Sequence, residues 1–456
     1  MECLRCYPNR PIPDAILLLS RAQSVTHADL TNGRRRFLVG AATAAVAGLE
    51  LGCSKTEPVE APATRSSTVV PLRVLLVGEK GDKDFVSRGW QAVSEQELEV
   101  DVLPLERADP SGIGDAFLAA VKKADVVIYP LALVGEAARS EAVVEMTTDE
   151  VKRIESEVGG LLPAARNGAA RYGGSTYALP LGCALPALIA QSKHEPLGSW
   201  EDYDALVQGE WEGMAAEPTA AGWAGTMFLW RSRGAKNWLF ERKDLTPLIH
   251  TEPYVNSLEL MLKTNSRYVD KDQTPDQIWA RVGEGKLRGG IGFPERRSGP
   301  GVDMQLSGLP GTATLSKVVL DPFAPVVSLP ANCRQTGASK RFIEWICGGE
   351  GSRSVRRQVA GMNDLRDGVS WGGDSALYDR WLAEQLQAPL IAPCPQLNDA
   401  MEYLVVLDQQ VRRALVGDAA PQEALDVVAE KWTDLTSSSG ADEQIRAWRM
   451  AQGMRA

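Results

Sequence analysis

The run from Tyr172 to Ala190, Tyr-Gly-Gly-Ser-Thr-Tyr-Ala-Leu-Pro-Leu-Gly-Cys-Ala-Leu-Pro-Ala-Leu-Ile-Ala, limits the fold more than any other part of this chain. Gly173-Gly174 is a tight-turn signal. The apolar residues that follow are enough for a strand, but Pro180 and Gly182 interrupt it. Proline has no N–H to give to a ladder, so Pro180 cannot sit in the middle of a central strand. The stretch reads as a strand that stops where the chain crosses from one folded unit to another. The segment Asp125–Pro130 then belongs to one lobe, and the helices downstream belong to a second.

A length of 456 residues fits two or three domains at roughly 150 residues each. Upstream of the crossing the pattern alternates between strand and helix. Leu72–Val77 is a β-rich run ending at Gly78, Asp84–Ser94 reads as a helix, and Leu98–Pro104 alternates as a strand does. Ala116–Lys123 is helical, and Ala124–Pro130 is a third strand. This order predicts an α/β fold with a mostly parallel sheet. In such sheets ligands bind beyond the carboxyl ends of the strands. That rule points to Gly78–Gly81 and Tyr129–Leu131. In the second half, Ser199 is placed to cap a helix over Trp200–Val207. Helices are also expected over Pro253–Lys263, Pro275–Gly283 and Ser339–Cys347. Gly289–Pro294 reads as a return strand through a hinge, and Val326–Leu329 as rejoining the first lobe.

The N-terminal part reads as an address. Arg34, Arg35, Phe37 and Leu38 precede an apolar run from Val39 to Leu49. A basic patch and a short apolar segment describe an export signal, and the run is too short for a stable transmembrane helix. The paired arginines followed by x-Phe-Leu resemble a twin-arginine signal. Gly33 and Val39 depart from that pattern. Cys53 follows Gly52 at the end of the run, the position of a lipoprotein cysteine, although Glu50 stands where such signals carry leucine. Lipidation and simple cleavage are both open here. Residues 54–70, rich in Pro, Ala, Thr and Ser, suit a flexible tether. Translation starting near Leu30 would remove the Cys3–Cys6 pair.

Several chemistries are disfavoured. A net charge of −10 argues against nucleic acid as a partner. Gly368-Val369-Ser370-Trp371-Gly372 matches a nucleophile elbow, but the histidines are His27, His194 and His250, and none follows Ser370 as the triad order needs. No metal-binding spacing is present, and no cofactor is expected. Gly78-Glu79-Lys80-Gly81 lacks the glycine pattern of a phosphate loop. Cys183, Cys333, Cys347 and Cys394 permit two bridges in an oxidising compartment, but their wide spacing favours free thiols.

Aromatic residues are only 6% of the chain, yet 12 of them are tryptophan. Tryptophan offers a broad apolar face and one donor, which suits the C–H face of a sugar ring. Trp223, Trp230 and Trp371 fall in Gly-flanked or loop-like contexts, and Trp90 lies near the first switch loop. Trp230, at helical spacing with Met227, also fits a core position.

The turn Tyr172-Gly-Gly-x-x-Tyr-Ala-Leu-Pro180 resembles the first lobe crossing of bacterial extracellular solute-binding proteins of the maltose-binding type. Ser199-Trp200-Glu201-Asp202-Tyr203 and the helix from Ala424-Leu425 to Lys431-Trp432 are similar to that family in the same order. The resemblance covers roughly residues 72–440. It implies a two-lobed fold of the periplasmic-binding-protein type II class, with two α/β lobes joined by a hinge near Leu181–Cys183, Gly290–Pro294 and Glu350–Gly351. The expected organisation is an export signal over 1–53 and a linker over 54–70. One lobe takes residues 71–181 and 290–349, and the other takes 182–289 and 350–456. The resemblance further implies an importer component in the periplasm or cell envelope that binds and makes no bonds, a monomer that carries a sugar or oligosaccharide to a membrane permease. Expected ligand contacts are Trp90, Tyr129, Tyr177, Trp223, Trp230, Arg231 and Trp371. A secreted glycoside hydrolase, a cofactor-loaded oxidoreductase and a sensor subunit are the alternatives.

Overall fold

In a computed structural model of the chain, the described residues are 70–193, 195–296, 304–311, 317–348, 350–367 and 376–454. The export signal, Cys53, His194, Ser370 and Trp371 lie outside them.

The apolar run Leu72–Gly78 forms β1. It pairs in parallel with β2 (Leu98–Pro104) on one side and β3 (Val126–Pro130) on the other. Strand β2 alternates between half-buried and exposed residues because it lies at the sheet edge, whereas β3 is buried throughout. Leu179–Pro180, β4, is a short strand at the opposite edge of this first sheet, where a residue without an N–H is tolerated. Strands β5 (Ala187–Ala190), β6 (Ala215–Ala216), β7 (Gly289–Gly292) and β8 (Gln305–Ser307) form a second sheet in the order β6-β7-β5-β8. Strand β9 (Val318–Val319) pairs in parallel with Ile391–Ala392. Pro325–Ser328, β10, inserts antiparallel between β3 and β4.

The strand directions differ from the mostly parallel expectation. The first sheet is mixed, because β10 enters it from the second sheet and runs against β3. In the second sheet only the β6–β7 ladder is parallel. The crossings differ too. The chain changes sheet between Pro180 and Ala187, around Gly182. Gly289–Gly292, expected in the hinge, is instead hydrogen-bonded into the second sheet, and the return falls between Ser307 and Pro325. The helix Glu350–Gln358, expected in the second lobe, packs on the helix Asp82–Gln91 beside the first sheet.

Local chemistry accounts for many helix ends. Thr147 and Glu150 form a reciprocal capping box that starts the helix Thr148–Val158. Thr274 and Gln277 do the same for Pro275–Gly283, whose proline occupies the first turn. Ser199 accepts from the Asp202 N–H at 3.1 Å.

The first sheet is covered on both faces. Leu72, Val74, Leu76 and Ile128 face one way and pack with Phe342, Ile343 and Val355. Leu75, Val77, Val127 and Tyr129 face the other way, into a core that continues through Leu188, Ile189 and Ile291 of the second sheet. The two sheets therefore share one apolar core.

That core borders one poorly matched charge. Glu136 is 6% exposed, and its Oε2 has no hydrogen-bond partner. Burial pushes its carboxyl up to about 7, with Asp399 and Asp115 adding to the rise against Arg139. A carboxyl raised in the folded state favours folding while protonated, so its contribution is full below the usual carboxylate range and is lost as pH rises through 7. Glu136→Gln should therefore flatten the fall in stability between about pH 5 and pH 8, by roughly 1–3 kcal/mol. Urea unfolding across that range checks this. Parallel curves for parent and variant would overturn it.

Candidate functional site

Strand β1 has neighbours on both sides: the chain leaves it outward to β2, whereas from β3, on its other side, it leads away to β4 at the far edge. Beyond the carboxyl ends of β1 and β3, at this switch point, lies a cavity of about 290 Å³. Leu76, Val77, Gly78 and Glu79 line it from β1 and the following turn, and Ile128, Tyr129 and Pro130 from β3. Trp223, Thr274, Phe293 and Glu295 close it from segments around the second sheet. Asp321, Phe323 and Pro325 come from the return crossing, and Gly361 and Met362 from the turn after Gln358.

Arg107, in the loop after β2, holds this arrangement together. Its two terminal nitrogens each donate to an Asp321 carboxylate oxygen at 2.8 Å. Nη2 also donates to Thr226 Oγ1 at 3.0 Å, and Nε to the Gly222 carbonyl at 2.8 Å. The guanidinium lies 3.4 Å from the centre of the Trp223 ring and 4.2 Å from that of Phe323. A planar cation between two aromatic faces with a forked carboxylate partner is a task for arginine and not for lysine. Gly222, at φ +80°, allows the approach: a Cβ there would sit 2.4 Å from the Arg107 carbonyl oxygen. Asp408 fixes the adjoining helix Ala224–Arg231 by accepting from the N–H groups of Gly222 and Gly225, both at 2.9 Å.

A second polar group sits across the cavity. Arg296 donates to Asp82 at 2.8 Å and also pairs with Glu79. Asp82 is buried, and burial pushes its carboxyl up against the pull of Arg296. Glu295 is partly buried. Its backbone is held at both ends, the N–H donating to Asp276 at 3.2 Å and the carbonyl accepting from Gly361 at 3.3 Å. Burial pushes the Glu295 carboxyl up to about 7 against Arg107, and Asp276, Asp321 and Glu79 push it the same way.

The residues expected from the sequence separate into three groups. Trp223 and Tyr129 line the cavity, although the Tyr129 hydroxyl is engaged with Ser328 at 2.8 Å. Trp90, Tyr177, Trp230 and Arg231 do not line it. Trp90 is buried behind the first sheet against Phe342 and Trp345, with its N–H on the Gln96 carbonyl. Tyr177 is half-buried beside Tyr172. Trp230 is core, donating to the Val319 carbonyl at 3.2 Å. Arg231 is buried in an ion pair with Glu217, which also accepts from the Tyr268 hydroxyl at 2.8 Å, and it lies 4.3 Å from the Trp200 ring. Trp371 lies outside the described residues. Arg107, Glu295 and Asp321 were missed. They stand singly in loop segments with no periodicity, Asp321 inside an otherwise apolar run, and only the Gly-Phe-Pro turn before Glu295 marks a special place.

Among the described residues the four cysteines are free thiols; Cys183, Cys347 and Cys394 are buried and Cys333 is half-buried. No group of three or more His, Cys, Asp or Glu there is arranged to hold a metal ion, and no helix there is long and apolar enough to cross a membrane.

No family model matches the chain, and no curated protein matches it. Solved structures do. T. maritima MalE3 with maltose bound superposes with a TM-score of 0.62 at 15% identity, over 80% of this chain and 100% of that one. An ABC transporter solute-binding protein from Agrobacterium radiobacter K84 in complex with ribitol gives 0.63 at 14%, over 80% and 99%. The Listeria monocytogenes substrate-binding protein Lmo0181 in complex with cycloalternan gives 0.57 at 12%, over 80% and 99%. The chain has the two-lobed, periplasmic-binding-protein type II fold of these structures.

Proposed function

We propose that this chain is an extracytoplasmic solute-binding component of an ABC-type importer, taking up a small sugar or polyol between its two lobes. The cavity at the β1/β3 switch point carries the reading, because residues from the first sheet, from segments around the second and from the crossings line it together. The named ligands of the similar structures, maltose, ribitol and cycloalternan, support a hydroxyl-rich solute. A volume of about 290 Å³ is just below the roughly 300–1,000 Å³ of small-molecule pockets, which favours one ring or a short polyol over an oligosaccharide.

The solute meets Trp223, Phe293 and Glu295 from one side and Gly78, Glu79 and Tyr129 from the other. The function is binding and release, with a membrane permease as the partner that reads the loaded form. Glycoside cleavage needs two carboxyl groups free to act, and Glu295 stands alone: Asp321 is engaged by Arg107, Asp82 and Glu79 by Arg296, and Asp276 by the Glu295 N–H. Export through the twin-arginine-like signal, an anchor at Cys53 and a monomeric state complete the proposal.

Thermal-shift and calorimetric titration of the full chain against monosaccharides, disaccharides and polyols tests it. A ligand held only by the folded state raises the melting temperature, by an amount that grows with its concentration. A flat response across the panel, or release of sugar products, overturns the reading.

A further inference from the structure

The cavity has an uneven polar inventory. Its apolar wall includes Leu76, Ile128, Phe293 and Val359. Set into that wall are four carboxylates, Glu79, Asp82, Glu295 and Asp321. Two guanidiniums answer them. Arg107 is spent on Asp321 and two neighbours in the second lobe, and Arg296 is shared between Asp82 and Glu79. Four carboxyl groups against two guanidiniums leave an excess of two acidic groups.

The excess has a location. The Tyr129 hydroxyl is engaged with Ser328, and Thr274 Oγ1 accepts from the Gln277 N–H in its capping box. The Glu295 carboxylate has no hydrogen-bond or ion-pair partner among the described residues, while its own backbone is fixed on both sides. It is a held acceptor facing a cavity, with Asp276, Asp321 and Glu79 on one side of the balance and Arg107, already forked onto Asp321, on the other.

A neutral polyol can donate a hydroxyl to Glu295, but it leaves the charge excess in place between low-dielectric walls. An ammonium donates and compensates the charge together, and the interaction is stronger there than in water.

Resting on the solute-binding reading of this same cavity, we propose that the preferred solute carries a protonated amine seated against Glu295, so that aminated sugars or polyols bind in preference to their neutral counterparts. The elevated proton affinity of Glu295, set by burial and by Asp276, Asp321 and Glu79 against Arg107, adds a consequence. Docking a cation lowers that affinity, so binding releases a proton below neutral pH, and the complex tightens as pH rises through 7.

The test compares D-glucose with D-glucosamine, and D-mannitol with 1-amino-1-deoxy-D-sorbitol, by calorimetry on the full chain in buffers of different ionisation enthalpy. The expected result is an affinity for the amines about tenfold or more above that for the neutral pair at about pH 6–7, with proton release at about pH 6 that fades by about pH 8 for 1-amino-1-deoxy-D-sorbitol, whose amine is still protonated there. Glu295→Gln should abolish that preference, bringing the affinity for each amine down to that for its neutral counterpart in the same variant, and Glu99→Gln, on the exposed edge strand, should leave the preference as in the parent. If Glu295→Gln does not fold, the proton release measured on the parent decides. Equal affinity for neutral and aminated members overturns this inference and leaves the solute-binding reading intact. No binding by any of the four at millimolar concentration overturns it as well. The solute-binding reading falls with it when the wider saccharide panel is also flat.

Discussion

Gly182→Ala is expected to cost about 4 kcal/mol or more, placing it in the extreme tail of single substitutions. A Cβ on residue 182 would sit 1.7 Å from the Gly361 carbonyl oxygen, 2.7 Å from its carbon and 3.0 Å from the Met362 Cα. These are backbone atoms, so no rotamer change relieves the overlap. The turn at 361–362 would have to withdraw. It is tied to the crossing by the Asn363 N–H on the Leu181 carbonyl at 2.9 Å and by the Cys183 N–H on Asn363 Oδ1 at 3.2 Å. Both bonds are lost if it moves, and Gly361 and Met362 leave the cavity wall. Overpacking by one methyl in a deformable core costs about 1–3 kcal/mol, and the rigid surroundings here push the cost higher. Gly81→Ala is the control, since its Cβ would meet nothing within 4 Å. Urea unfolding of both variants checks the pair. A Gly182→Ala protein within about 1 kcal/mol of the parent would mean that the two segments are not packed as described.

Arg107→Ala should cost about 3–5 kcal/mol, because it strips the partner from a buried carboxylate. Asp321 is 6% exposed, and the Phe323 N–H on Oδ1 at 3.1 Å is no substitute for a guanidinium. The substitution also uncovers the Trp223 and Phe323 faces and removes the bonds to Thr226 and the Gly222 carbonyl. Arg107→Lys should recover little, since an ammonium cannot fork onto Asp321 and stack between two rings. A double-mutant cycle with Asp321→Ala separates the pair from its surroundings, and a coupling of about 0.5–3 kcal/mol is expected for groups in direct contact. A coupling near zero, with Arg107→Ala unfolding like the parent, would remove the bridge between the two halves from the account.

The elements were legible in the sequence where one physical preference dominated. The run Leu72–Gly78 could only be a buried strand, and Thr274-Pro275 followed by Gln277 marks a helix start through capping alone. Pro180 announced a sheet edge because it lacks an N–H. The return crossing was misplaced because Gly289–Gly292 carries no side-chain pattern. Its glycines are there for close approach, and a Cβ on Gly289 would collide with the Trp211 ring at 2.4 Å. Site residues were harder. Tryptophan content pointed toward aromatic platforms, but Trp90 and Trp230 serve packing, and one face of Trp223 is taken by Arg107. What decides the cavity's chemistry is which carboxylates are left without a cation. That depends on pairs such as Arg107–Asp321 and Arg296–Asp82, each 214 residues apart. No local pattern encodes such a pairing.

Cys183 lies at the first crossing, fully enclosed, and burial lifts its thiol far above the ordinary range. Alkylation requires a thiolate and a path for the reagent. Neither exists while the two sheets stay joined through their common core. The half-buried Cys333 reacts without any such separation, so the ratio of the two labelling rates is a clock for how often the halves part, and a bound solute should slow only one of its hands.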